Sequence, residues 1–135
     1  MNQRILPAVL LLAVGCAIPS AAKTFVHPDF ARRRPATVAL EVQGPADSAA
    51  AVTEAVYEGL IAGNYSVQVP GESLPPGVGF VRVVYEAKGA RLTGVLSMFD
   101  PKKQPRWETL FRAEGSGTDA EELAASLLRQ LPAKQ

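Results

Sequence analysis

One apolar run, at residues 5–14, determines the cellular location that the sequence predicts for the rest of the chain. A basic residue, Arg4, precedes the run, and the only cysteine, Cys16, lies just beyond it. A helix that spans a bilayer needs about 20 apolar residues, so this run is too short to cross a membrane. It fits the hydrophobic region of a signal peptide, which has roughly 7 to 15 residues. The sequence therefore predicts that residues 1–15 are a signal peptide and that the folded part of the protein is exported.

The residues at the end of the run indicate how the signal peptide is removed. Ala13-Val14-Gly15-Cys16 resembles the lipobox of bacterial lipoproteins, although leucine is commoner at its first position. The resemblance implies cleavage before Cys16 and attachment of lipid to its sulfur and its new amino group. In that family an aspartate after the cysteine favours retention in the inner membrane, so Ala17 implies the outer membrane. Several acyl chains anchor a protein stably, whereas a single chain binds only marginally.

A second processing site remains open. Ser20-Ala21-Ala22 has the small-x-small pattern of ordinary signal peptidase sites, and cleavage after Ala22 would leave Lys23 as the first residue. That product would contain no cysteine and would be a soluble periplasmic binding module or inhibitor. Neither product can form a disulfide within one chain, so its hydrophobic core has to hold the domain together.

Charge balance and the scarcity of reactive side chains narrow the function classes. The chain has 14 basic and 13 acidic residues, and residues 1–15 carry one arginine and no acid. Nucleic-acid-binding domains normally have a basic excess, so we expect no nucleic-acid partner. Zinc usually takes three or four Cys or His ligands, and this chain has one of each. The single histidine, His27, precedes Pro28 in a loop-like stretch. We therefore predict no catalytic residue, no cofactor and no metal site.

Hydrophobic patterning over residues 37–131 predicts one α+β domain with a mixed sheet of about five strands. The predicted order is β-α-β-β-β-β-α, with two helices on one face of the sheet. Residues 37–42 and 65–69 alternate as strands. An apolar stripe at helical spacing lies between them, with Asp47 or Ser48 as its expected N-cap and Gly63-Asn64 as its stop. A strand, a helix and a strand with short joints predict a parallel pair.

The second half of the domain is predicted to be a meander followed by a helix. Strands at residues 80–86, 92–99 and 107–113 are neighbours in sequence and should pair antiparallel, with Gly94 as a weak point or bulge. Residues 118–121 match a capping box, in which Thr118 and Glu121 satisfy each other's backbone amides. A leucine stripe follows it as far as residue 131, and residues 132–135 are a tail.

Residues 16–36 are predicted to be a tether and an extended segment. Phe25 and Phe30 are the side chains in this segment that could dock on the domain. The arginines at positions 32–34 suit contact with anionic lipid headgroups beside the anchor, or a solvated basic loop.

Three short segments carry a resemblance to a known family. They are Arg34-Pro35-Ala36-Thr37-Val38-Ala39-Leu40, Ala62-Gly63-Asn64-Tyr65-Ser66-Val67, and the hairpin from Leu96 through Asp100 to Arg106-Trp107-Glu108. Together they resemble small outer-membrane lipoproteins with a TolB N-terminal-like α/β domain. The chain departs from the pattern at Glu41-Val42-Gln43, where members often have proline and phenylalanine. It also has a loop at residues 70–77 in place of a second crossover helix.

The resemblance implies a non-catalytic role in assembly, secretion or envelope regulation, often as an oligomer. It carries over no functional residue except the lipidated Cys16. We therefore expect a lipoprotein that is held at the outer membrane and faces the periplasm, where it binds protein partners or further copies of itself. Anchoring would raise its effective concentration near partners at the same surface. Exposed strand edges and the Trp107 hairpin are the expected contact regions.

Overall fold

A computed structural model of the protein describes residues 23–68, 76–102 and 109–132. Cys16, both cleavage sites and Trp107 lie outside the described residues. The elements are, in chain order, β1 (Thr24–Val26), α1 (Phe30–Arg33), β2 (Thr37–Gln43), α2 (Ala46–Ala62), β3 (Ser66–Gln68), β4 (Gly79–Lys88), β5 (Arg91–Phe99), β6 (Thr109–Gly117) and α3 (Ala120–Leu128).

The strands form one mixed sheet with the order β1-β6-β5-β4-β2-β3. Strands β2 and β3 are parallel and α2 connects them, which confirms the predicted strand–helix–strand unit. Strand β2 also pairs in parallel with β4 on its other side. Strands β4, β5 and β6 form the predicted antiparallel meander, and β1 adds to β6 as an antiparallel edge strand. The fold is α+β, as predicted, with six strands in the described part of the chain.

The long helices α2 and α3 pack side by side on one face of the sheet. Gly59 of α2 lies at their contact, where a Cβ would require the side chain of Leu128 in α3 to shift. Beneath the helices lies a core of side chains that solvent barely reaches. Its members are Val38, Leu40, Val52, Val56, Leu60, Val81, Val83, Leu96, Met98, Phe111, Ala113, Leu123 and Leu127.

Residues 23–36, which the sequence assigns to a tether, belong to the same folded unit. The backbone N–H of His27 donates to the carbonyl of Leu110 at 2.8 Å, next to the paired residues of β1 and β6. The Phe30 ring is buried, with its centroid 6.0 Å from that of Phe111, so its predicted docking is confirmed. Phe25 instead remains 55% exposed. The prediction that Phe25 also docks is therefore wrong, because β1 places this side chain on the uncovered side of the sheet.

Both predicted helix caps are wrong in detail. Helix α2 begins at Ala46 after Pro45, with no side-chain cap, and Ser48 instead shares a hydrogen bond of 2.6 Å with the Tyr85 hydroxyl. At α3 the cap lies one residue later than expected, because β6 continues through Gly117. The Asp119 carboxylate accepts the N–H of Glu122, and the Glu122 carboxylate accepts the N–H and hydroxyl of Thr118.

The sheet irregularity also lies elsewhere than predicted. Gly94 is paired regularly with Tyr85, and the register shift occurs between Met98 and Phe99. Glycine is needed at position 94 for close packing, since a Cβ there would lie 2.9 Å from the Tyr85 Cβ. Strands β4 and β5 are joined by a tight turn in which Gly89 has a φ of +62°. Asn64 follows α2 at a φ of 70°, which suits the predicted helix stop.

Candidate interaction surface

The sheet face opposite α2 and α3 is exposed over much of its area, whereas Ala39, Phe99 and Leu110 at one end of it are buried. Side chains along β2, β4, β5 and β6 alternate between the helix-covered core and this second face, where most are exposed or half-buried. We call this second face the open face. Its principal members are Phe25, Glu41, Arg82, Val84, Glu86, Val95, Ser97, Arg112 and Glu114.

Arginines occupy one cross-strand row of the open face. Strand register aligns Phe25, Arg112, Ser97, Arg82 and Glu41 across the sheet. The Arg82 Nε lies 3.5 Å from the Glu41 carboxylate, which balances part of its charge. Arg112 is exposed and has no ion-pair partner among the residues described. This row therefore presents a positive charge beside an exposed aromatic ring.

The next rows of the open face combine apolar and acidic side chains. Val84, Val95 and Glu114 are aligned, and Val84 is 46% exposed. Glu86 lies one row further on and forms an ion pair with Lys88 at 3.4 Å. A depression of about 470 Å³ is lined by these valines and glutamates. Within the described chain, Glu114 has no ion pair, so the acidic rows complement the arginine row.

The sheet edges were also expected to be contact regions. Both edge strands are three residues long, and the β1 residues are all exposed. Short edge strands are a common way of limiting uncontrolled strand pairing. The edges therefore offer little backbone for a partner, whereas the open face offers side chains from every long strand. The Trp107 hairpin is not among the residues that the structure describes.

The arginine run at positions 32–34 makes three different contacts. Arg32 is 78% exposed in its side chain and pairs with Asp29 at 3.2 Å. Arg33 forms an ion pair with Asp100, a carboxylate that is almost fully buried after β5. Arg34 lies over the Tyr65 ring, with its guanidinium carbon 4.6 Å from the ring centroid. The run is therefore not a uniform solvated loop, and no local pattern connects these residues to positions 65 and 100.

His27 has a structural role at the end of β1. Its Nδ1 accepts the backbone N–H of Asp29 at 3.0 Å, which fixes the turn into α1. Among the residues placed, no group of three or more His, Cys, Asp or Glu side chains could hold a metal ion. In the same part of the chain, no helix is long and apolar enough to cross a membrane.

Comparison with known proteins gives a likeness in fold. No family model matches the chain, and no curated protein matches it. Among solved structures, the fold is similar to that of the PelC dodecamer from Paraburkholderia phytofirmans, with a TM-score of 0.62. The two sequences are 17% identical, and the match covers 85% of this chain and 98% of the PelC chain. Identity at this level shows a shared fold and nothing more specific.

Proposed function

We propose that this protein is a non-catalytic envelope lipoprotein, anchored at the outer membrane through Cys16, whose domain binds a protein partner in the periplasm through the open face. The observation that carries the proposal is the exposure of two apolar side chains on that face, Phe25 in the arginine row and Val84 in the neighbouring row that includes Glu114. The signal-peptide pattern and the lipobox-like sequence before Cys16 support the anchor.

The open face has the size and composition of a protein interface. The 41 strand residues, at about 3.3 Å along and 4.8 Å across the strands, give the sheet face roughly 650 Å², which lies within the roughly 600–1,000 Å² per partner of standard interfaces. Stable interfaces have an apolar centre and a polar rim, and here the exposed Val84 and the half-buried Val95 lie between the arginine row and Glu86. Charged groups at the rim orient a partner and speed association more than they add affinity.

A second copy of the chain is the first partner to test. A rotation of 180° about an axis that lies in the plane of the interface, parallel to the rows, relates the two copies. It places the arginine row of each copy over the acidic rows of the other. Arg112 and Glu114 could then pair reciprocally, as an isologous interface requires. Self-association is compatible with this fold, since the PelC structure is a dodecamer.

Charge reversal tests the open face directly. Arg112→Glu or Glu114→Arg alone should weaken self-association by about 10-fold, because each places like charges together twice in a symmetric pair. The double variant should recover most of the loss. Sedimentation equilibrium on the purified chain measures both effects. If both single variants self-associate more weakly and the double variant does not regain affinity, this pairing would be contradicted.

An apolar-to-charged exchange tests the face for any partner. Val84→Arg should reduce self-association or the recovery of co-purified envelope proteins. Ile61→Arg is the matched control, because Ile61 on α2 is 45% exposed and lies on the opposite side of the domain. An equal loss of partner binding in both variants, or no loss of binding in Val84→Arg, would refute a role for the open face.

Mass spectrometry of the mature protein tests the anchor separately. Cleavage before Cys16 with an added lipid mass is the expected result. An unmodified chain that begins at Lys23 would instead identify a soluble periplasmic binding module, and the open-face experiments would still apply to it.

A further inference from the structure

A second site lies at the opposite side of the molecule from the acidic rows, where the β1–α1 segment meets the end of α2 and the start of β3. A cavity of about 500 Å³ occurs there, lined by Val26, His27, Phe30, Arg34, Pro35 and Tyr65 among others. None of these residues belongs to the open face. Ligand sites commonly have volumes of about 300–1,000 Å³ and mostly apolar walls with a few polar groups.

Arg34 gives this cavity a positive charge that the domain does not neutralise. Arg32 and Arg33 pair with Asp29 and Asp100, whereas Arg34 has no carboxylate partner among the residues described. Its guanidinium lies over the Tyr65 ring and 5.9 Å from the centroid of Phe30. Stacking of this kind holds the planar group in place and leaves its N–H edge available for an anion.

Tyr65 supplies the second polar group. The residue is 5% exposed, and within the described part of the chain its buried hydroxyl meets no group at full hydrogen-bond geometry, although the Arg34 guanidinium is near enough to interact with it. Buried polar atoms are nearly always hydrogen-bonded in folded proteins, so a buried hydroxyl beside a cavity with no neighbour but Arg34 indicates a site for a ligand atom. Burial raises the pKa of this hydroxyl, and the Arg34 charge offsets part of the rise. The group therefore remains protonated and able to donate at neutral pH.

His27 also lines the cavity. Its Nδ1 accepts a hydrogen bond from the Asp29 backbone N–H, which fixes the orientation of the ring in the cavity wall. The remaining walls are apolar, with Val26, Phe30 and Pro35 as members. The cationic edge of Arg34 and the buried Tyr65 hydroxyl at a largely apolar cavity match a ligand with one anionic group on an apolar body.

We propose that this cavity binds an anionic amphiphile, with a carboxylate or phosphate held by Arg34 and Tyr65 and the apolar body against Val26, Phe30 and Pro35. Carboxylate and phosphate are the groups that the planar arginine fork binds best. The ligand is either a free soluble amphiphile or the headgroup region of a membrane lipid, and both present the same chemistry.

Calorimetric titration of the chain from Lys23 to Gln135, which contains every element described above, tests the proposal. Decanoate and decyl phosphate serve as probes, and decanol serves as the neutral probe of equal chain length. The acids should bind at least 10-fold more tightly than decanol. Arg34→Gln should remove most of this preference, and Tyr65→Phe, which deletes only the hydroxyl, should weaken binding several-fold.

Arg32→Gln is the matched control, because Arg32 lies two residues before Arg34 and its charge is part of an exposed ion pair with Asp29. It should leave the affinity unchanged. Arg34→Lys retains the charge without the planar fork and should give an intermediate affinity, which keeps the test valid if Arg34→Gln loosens the fold. Equal binding of decanol, no binding by the wild-type chain, or an equal loss in Arg32→Gln and Arg34→Gln would overturn the proposal.

Vesicles distinguish the two sources of the ligand. Binding to phosphatidylglycerol vesicles that depends on Arg34 and not on Arg32 would identify a lipid headgroup. Binding of decyl phosphate without Arg34-dependent binding to vesicles would identify a soluble ligand. Vesicle binding that falls equally in both arginine variants, with no binding of the soluble probes, would show general surface electrostatics and refute the site.

Discussion

The ion pair between Arg33 and Asp100 is expected to hold the N-terminal segment against the rest of the domain. Asp100 is 3% exposed and lies at the end of β5, whereas the Arg33 side chain is 29% exposed. Loss of one partner of a fully buried pair costs about 3–5 kcal/mol, because the other charge stays buried without compensation. Arg33 can still reach water, so we expect Asp100→Asn to lower the free energy of unfolding by about 2–3 kcal/mol.

Urea denaturation followed by circular dichroism measures this effect. For a small domain with an m-value of about 1–1.5 kcal/mol/M, the midpoint should fall by roughly 2 M. Asp29→Asn is the control, since Asp29 pairs with the exposed Arg32 and surface pairs contribute about 0–1 kcal/mol. A midpoint in Asp100→Asn equal to that of the control, or additive losses in an Arg33→Gln/Asp100→Asn double variant, would show that the pair does not hold the segment.

Three further predictions concern the core, the helix contact and the α3 cap. Phe111→Ala should lower the free energy of unfolding by about 3–5 kcal/mol, whereas Phe25→Ala should change it by less than about 1 kcal/mol, as measured in the same urea titrations. Gly59→Ala should change the free energy of unfolding by less than about 1 kcal/mol, because a gain of about 1 kcal/mol in helix propensity offsets the displacement of the half-buried Leu128 side chain; a loss of more than about 2 kcal/mol would show that Leu128 cannot move aside. Hydrogen bonds from a threonine hold the pKa of the Glu122 carboxyl below its usual value. A carboxyl whose pKa is lowered by folding stabilises the fold at pH values above its unfolded-state pKa. This stabilisation should be lost as the pH falls through the folded-state pKa of Glu122. Glu122→Gln should therefore reduce the acid dependence of the thermal midpoint in melts at about pH 3–7.

The central strands and both long helices could be predicted because their signals are local. In β4, the apolar residues Val81, Val83 and Tyr85 occur at every second position and face the core, so the residues between them define the open face. The stripe of Val52, Val56 and Leu60 likewise identifies α2 without tertiary information.

Elements held by distant backbone contacts could not be predicted in the same way. All three residues of β1 are exposed, so no alternation distinguishes this strand from a loop, and its pairing with β6 depends on residues far away in the chain. The cavity around Arg34 also depends on contacts between residues that are distant in the sequence. Arginine after two other arginines suggests a solvated run, and only the fold brings its guanidinium over Tyr65.

The pairing of β1 with β6 also limits how far the domain could travel if it is anchored through Cys16 as proposed. A chain segment spans at most about 3.3–3.6 Å per residue, so a tether of residues 16–36 would reach roughly 75 Å, whereas residues 16–22 alone reach roughly 25 Å. Because β1 is paired from Thr24, only the shorter length separates Cys16 from the sheet. A threefold shorter reach confines the domain to a volume about 25-fold smaller, with a matching rise in its local concentration. A lipidated form would therefore remain within the layer next to the bilayer.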